Sequence, residues 1–141
     1  MFFTKGTASS VTIPCNPVTN MYKLSNSDLN YVVNKKAFSS SSKYLIWVDI
    51  DRQLLYVFTG SENKWSIYKT VQCSSGNNVT PTLRGTFKIQ DKGLSFGSYN
   101  IEGAKYWVRF SGNYMIHSLP YKYGKISDYT IGNRASHGCV R

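Results

Sequence analysis

Acidic residues are scarce in this chain: 7 Asp plus Glu stand against 17 Lys plus Arg, a formal net charge of +10. The imbalance disfavours a cationic partner and favours anionic ones, such as nucleic acid, acidic lipid, teichoic acid or a carboxylate-bearing wall polymer. It equally serves solubility. Sequence-specific nucleic-acid reading is not expected, because no helix carries a basic face and no zinc-finger spacing occurs. Long apolar runs are also missing, and a membrane-spanning helix needs about 20 such residues. The opening "MFFTKGTASS" has two Phe before Thr4 and Lys5, too little for the apolar stretch of an export signal. Such a signal or an anchor is expected to have been removed or never present. Histidine occurs twice and cysteine three times. An odd count leaves at least one thiol outside any internal disulfide. No CxxC pair groups Cys15, Cys73 and Cys139. A Cys15–Cys73 bridge stays open, as do two buried or incidental thiols.

What is abundant is aromatic and apolar. Aromatics make up 15% and hydrophobic residues 41% of the 141 residues, which suits one folded, strand-rich domain rather than a disordered chain. Residues 1–24 read as an irregular lead-in, with Pro14 and Pro17 breaking any period. Residues 25–42 read as a short helix and linker. Ser27 is a candidate cap, Leu29, Val32 and Val33 form the apolar positions, and "SSSS" at 39–42 ends the segment. From 43 onward the pattern is that of strands. "KYLIWVDI" and "QLLYVFTG" flank a turn at Asp51-Arg52. "KWSIYKTVQC" alternates, "SSGNN" is a loop and "GTFKIQ" a short strand. "DKGLSFGS" reads as a turn-rich loop. "KYWVRFSG" and "NYMIHSL" form a pair turning at Ser111-Gly112 or Gly112-Asn113. The expected fold is mainly β, a sandwich of short strands with a short N-terminal helix and a long active-site loop.

The chemistry concentrates in "RASHGCVR". A lone Cys is often only a small buried hydrophobe, but Gly138 before Cys139 permits a turn whose N–H groups can converge on an anion. A nucleophilic Cys also needs a base. His117, at the end of "NYMIH", sits where a strand would hold it rigidly, whereas His137 is too near in sequence to aim freely at the sulfur. An activated Cys139 is expected to alkylate below the ordinary thiol value of about 8.5. Zinc held by His117, His137 and Cys139 is a rival reading, and purely structural roles are another.

"YMIHSLP", followed after a loop by "IGNRASHGCVR", resembles the catalytic signature of the L,D-transpeptidases, the YkuD-type domain. "KYLIWVDIDRQLLYVFTG" is similar to the family's opening hairpin. "VQCSSGNNVTPTLRGTFKI" resembles its Ser-Gly, Thr-Pro and Gly-Thr-Phe stretch. The resemblance covers 43–141 and implies a cysteine acyltransferase acting on peptidoglycan. It would cleave a tetrapeptide stem before D-Ala through a thioester, with no metal and no cofactor. Water or a free D-amino acid as acceptor would make it a carboxypeptidase or an exchange enzyme. By the same resemblance Cys139 is the nucleophile and His117 the base, oriented by the Ser118 carbonyl. Ser136 and His137 support the turn, and the N–H groups of His137, Gly138 and Cys139 form the oxyanion hole. Arg141 holds the loop or meets a substrate carboxylate. Tyr99, Tyr106 and Trp107 line a donor groove or are packed core aromatics. Peptidoglycan stem peptides are the implied partner, carbapenems the implied inhibitors, and the cell wall or surface the implied location. Members of the family continue beyond the Arg with a Leu, a helix and a last strand, whereas this sequence stops at Arg141. A missing C-terminal part is therefore expected. The alternative function is an inactive or truncated wall-binding module of the same fold.

Overall fold

A computed structural model describes residues 2–4 and 24–141. The chain forms two compact units, one from Met1–Val71 with Arg84–Lys88, the other from Gln72–Leu83 with Ile89–Arg141. The fold is mainly β, as the short alternating segments require.

The first unit joins helix α1 (Asn26–Lys35) to a sheet of β1 (Phe2–Thr4), β2 (Tyr44–Asp49), β3 (Leu54–Thr59), β4 (Ser66–Gln72) and β5 (Thr86–Lys88), in the order β4-β3-β2-β1-β5. Strand β1 falls inside the stretch that reads as an irregular lead-in. Its three residues pair antiparallel with β2 and parallel with β5, and so short a strand carries no alternation to read. The helix is capped by Ser25 rather than Ser27: the Ser25 hydroxyl accepts from the Asp28 N–H at 3.1 Å. Leu29 and Val33, four residues apart on one face, are fully buried. They pack with Phe38, Leu45, Tyr56, Phe58 and Trp65 in one apolar cluster.

Strand β4 lies at the sheet edge, and the helix covers the start of that edge. Asn30 Oδ1 accepts from the Ile67 N–H, and Asn34 Oδ1 from the Trp65 N–H, each at 2.7 Å. Paired edges of this kind do not invite another chain. The β2–β3 turn lies where the sequence puts it. Asp49 Oδ1 accepts the N–H groups of Asp51 and Arg52, an Asx turn.

The second unit holds β6 (Asp91–Ser98), β7 (Ile101–Ser111), β8 (Tyr114–Ile116), β9 (Tyr121–Lys122) and β10 (Lys125–Ile126), in the order β10-β9-β7-β6 with β8 also on β7. "DKGLSFGS", expected to be a loop, is strand β6. Its glycines serve close approach rather than turning. A Cβ at Gly93 would lie 2.7 Å from the Trp107 ring, and one on Gly97 would lie 2.6 Å from the Gly103 Cα of β7. The β7–β8 turn is Gly112-Asn113, with Gly112 at φ +47°. No helix among the described residues is long and apolar enough to cross a membrane.

Candidate active site

The site is built in the second unit, where the closing segment of the chain is threaded between two others. On one side Val140 pairs in parallel with Ile116 of β8. The Val140 N–H donates to the Met115 carbonyl and the His117 N–H to the Val140 carbonyl, both at 2.9 Å. With Ile116 opposite Val140, the period-two alternation puts Met115, His117, Cys139 and Arg141 together on the other face. The sequence-expected nucleophile and base are thus diagonal neighbours, and the charge of Arg141 acts on both.

On the other side the loop 73–77 braces the same segment. Ser74 exchanges both backbone hydrogen bonds with Arg141 at 2.7 and 2.9 Å, and the Ser75 carbonyl accepts the N–H groups of Ala135 and Ser136 at 3.0 Å. Ser74 and Ser75 are fully buried. Their backbone groups are paired there, as burial demands.

His117 is fixed at its Nδ1 atom, 2.6 Å from the Ser118 carbonyl oxygen. A carbonyl only accepts, so Nδ1 carries the proton and Nε2 is left as an acceptor. Ser118 is itself pinned to β7: its N–H donates to the Lys105 carbonyl, and its hydroxyl accepts from the Lys105 N–H. The Phe96 ring meets the imidazole edge-on, with centroids 5.6 Å apart at 85°. Burial pushes the imidazole below the ordinary 6.5, and Arg141 adds to this. The Ser118 bond and the Glu102 charge oppose it. The ring is therefore neutral near pH 7, the form a base needs.

Cys139 is half-buried. Burial pushes its thiol above the ordinary thiol range, with Met115 and Arg141 pulling the other way. A resting thiolate, as expected from the sequence, is therefore not favoured; desolvation of the anion outweighs the nearby cation. The thiol donates to the Asn113 carbonyl at 3.6 Å.

The turn before Cys139 is held at the Gly138 N–H and carbonyl and at the Cys139 carbonyl. Gly138 has φ +115°, and a Cβ there would meet the Tyr114 ring at 2.6 Å. Both facts require glycine. The Ser136 hydroxyl donates to the Cys139 carbonyl and accepts the Gly138 N–H at 3.1 Å. The Gly138 N–H, expected among three oxyanion donors, is thereby already used: a Ser hydroxyl two residues back captures it. The N–H groups of His137 and Cys139 have no acceptor among the described residues. The His137 side chain is exposed.

Arg141 is held rather than presented. Its side chain is 8% exposed and its Nη1 donates to Asp128 at 2.7 Å. Asp128 also accepts from Thr130, and these donors hold its carboxyl at about 2. Among the described residues no group of three His, Cys, Asp or Glu side chains is placed to hold a metal ion. The zinc alternative thus finds no ligand set. Cys15 lies outside the described residues, and Cys73 is buried.

A cavity of about 200 Å³ lies in the second unit; Phe96, which meets the His117 ring edge-on, is in its lining, whereas His117 and Cys139 are not. Phe96, Tyr99, Lys105, Tyr121, Lys122 and Tyr123 line it. Tyr99 stacks edge-on with Tyr123 at 5.6 Å. Tyr106 and Trp107 do not line it. Tyr106 is exposed on β7, and Trp107 lies over Gly93. Thr82, Asn113, Tyr114, Asp128 and Phe96 were not singled out from the sequence. Of these, only Thr82 had a signal, the Thr-Pro stretch.

Comparison with known proteins agrees with this geometry. Over 109 residues the chain is 36% identical to YciB of Bacillus subtilis (strain 168), a protein carrying an L,D-transpeptidase name. The match covers 68% of this chain and 54% of YciB. A solved structure of a fused Zn-dependent amidase/peptidase/peptidoglycan-binding domain-containing protein from Clostridium acetobutylicum ATCC 824 is 32% identical. It superposes with a TM-score of 0.69 over 92% of this chain and 55% of that one. An L,D-transpeptidase structure from Stackebrandtia nassauensis shares the fold, at 23% identity and TM-score 0.52 over 75% of this chain and 48% of its own. The chain spans about half the length of each of these relatives. Residues 43–141 match the L,D-transpeptidase catalytic domain, YkuD, and the chain belongs to that family.

Proposed function

We propose that this chain is a peptidoglycan L,D-transpeptidase working through Cys139 outside the cytoplasm, at the cell wall. The observation that carries the reading is the Ile116–Val140 bridge, which sets Cys139 beside a His117 locked in the tautomer of a base. Both groups rest neutral. As Sγ attacks the carbonyl carbon of the third stem residue, the thiol proton passes to His117 Nε2. The S–C bond forms, the C–N bond to D-Ala breaks, and the proton leaves on the D-Ala amine. The amine of a second stem then attacks the thioester: its N–C bond forms, the S–C bond breaks, and the amine proton passes through His117 to Sγ, restoring the thiol. The His137 and Cys139 N–H groups stabilise the oxyanion of each tetrahedral stage. Water in place of the amine would give carboxypeptidase activity.

The cavity that Phe96 lines is the proposed donor groove. Its lining contains no carboxylate, and Lys105 and Lys122 lie over the Tyr121 and Tyr123 rings at 4.9 and 5.4 Å. This arrangement suits the carboxylate groups of a stem peptide.

Mass spectrometry after incubation with a disaccharide-tetrapeptide tests the reaction: loss of D-Ala is expected in the wild type and none in Cys139→Ala. A carbapenem is expected to add once, at Cys139. An adduct that persists in Cys139→Ala would overturn the nucleophile. Polymer binding without D-Ala release would instead make the chain an inert wall-binding module.

A further inference from the structure

The buried hydroxyl of Thr82 bridges the brace and the catalytic turn. The Gly76 N–H donates to Thr82 Oγ1 at 2.7 Å, and Oγ1 donates to the Gly138 carbonyl at 2.8 Å. A hydroxyl has one proton. With Gly76 taking a lone pair, that proton is committed to Gly138. Thr82 is 5% exposed, so water does not compete for it.

The consequence lies in the peptide plane. In a trans peptide the carbonyl of one residue and the N–H of the next point in opposite directions in one rigid plane. Every described peptide bond is trans. Fixing the Gly138 carbonyl towards Thr82 therefore fixes the Cys139 N–H on the opposite side of the peptide plane, away from Thr82. Glycine at 138 makes this necessary, since its backbone resists rotation less than any other residue's. The Ser136 hydroxyl holds the Gly138 N–H and the Cys139 carbonyl, but neither group lies in the plane that carries the Cys139 N–H.

We propose that Thr82 is a positioning residue for the oxyanion site, aiming the Cys139 N–H by hydrogen bonding to the Gly138 carbonyl. This rests on Cys139 being the acylated nucleophile. The role predicts a selective defect, because only reactions that pass through an oxyanion need that N–H.

Two small probes separate the cases at one pH. With p-nitrophenyl acetate, Sγ attacks the ester carbonyl, the S–C bond forms, and p-nitrophenolate leaves with the electron pair of the broken C–O bond. With iodoacetamide, Sγ displaces iodide from carbon and no oxyanion forms. Thr82→Val is expected to slow acylation of Cys139 about 10- to 100-fold, with alkylation within about twofold of wild type. Thr82→Ser, which keeps the hydroxyl, is expected to restore the wild-type ratio of the two rates. Equal slowing of both reactions in Thr82→Val would show a merely structural role and overturn the proposal. So would no slowing of either. Should Thr82→Val not fold, a Thr82→Ser protein with the ratio lost would overturn it as well. A wild type that acylates with the ester but releases no D-Ala from a stem would sink the substrate reading and leave Thr82 its role.

Discussion

The two units of the chain are held by different forces. In the first, Leu29, Val33, Phe38, Leu45, Tyr56, Phe58 and Trp65 form one apolar cluster, and hydrophobic burial is non-directional. In the second, buried Ser74, Ser75, Thr82 and Ser136 carry a chain of hydrogen bonds, and these fix direction. Strand β6 there buries almost nothing. An apolar core secures the fold but tolerates small shifts. A nucleophile and its oxyanion donors need placement to about 0.5 Å, which directed polar contacts supply. The second unit also buries Cys73, Ala104, Phe110 and Val140, and its directed polar contacts suit the acyl transfer proposed for it.

A variant in each unit can break this contrast. Phe58→Ala, fully buried in the first unit, is expected to cost about 3–5 kcal/mol. Chemical denaturation should read this as a lower midpoint, while acylation per folded molecule stays near wild type. Gly138→Ala is expected to do the reverse. Its Cβ must displace the Tyr114 ring at an unfavourable φ, and the N–H of the next residue swings with it. Acylation should fall about 10²- to 10³-fold, with a smaller change in the denaturation midpoint. Equal effects of the two variants on stability and rate would erase the distinction between the units.

The same contrast explains what the sequence disclosed. The central hairpin of the first sheet was legible because burial leaves a composition: "KYLIWVDI" and "QLLYVFTG" are dense in β-branched and aromatic residues and surround a turn. Strand β6 was not, because its two glycines read as turn residues, and their close contacts with Trp107 and β7 are visible only once the strands pair. The Cys139 and His117 pair was legible from motif and resemblance. The fate of the Gly138 N–H was not, since a serine two residues back gives no sign of which group it will bind. Nor was Asp128, which lies in the loop "SDYTIGN" with nothing to mark it as the partner of Arg141.

A pH profile sharpens the picture of the site itself. Burial lowers the pKa of His117 and raises that of Cys139, so the neutral pair should persist across neutral pH. Protonating His117 removes the base, so the acid limb of kcat/KM is expected to fall below 6.5, the ordinary histidine value. Iodoacetamide labelling of Cys139 in His117→Ala should still climb at pH values above 9.0. An acid limb above 6.5 would overturn the lowered imidazole, and labelling of Cys139 in the wild type that levels off well below the ordinary thiol range would show a resting thiolate–imidazolium pair instead.

The smallest effect concerns the ion pair that closes the site. Asp128 accepts from Thr130 and Arg141, and its carboxyl sits at about 2 against an ordinary 3.8. A lowered carboxyl favours the folded state wherever the unfolded chain would bind more protons. The contribution is thus fully present above 3.8 and is lost as pH falls through about 2. Asp128 is solvent-exposed, so screening keeps the effect modest and salt-dependent. Asp128→Asn is expected to lower the Tm by a few degrees at most at pH 6, where wild type carries the full ion pair. The difference should shrink steadily on acidification below pH 4 and in high salt. The absence of any Tm gap at pH 6 would mean that the Thr130 bonds, which an amide oxygen can still accept, hold this loop without help from the charge on Arg141.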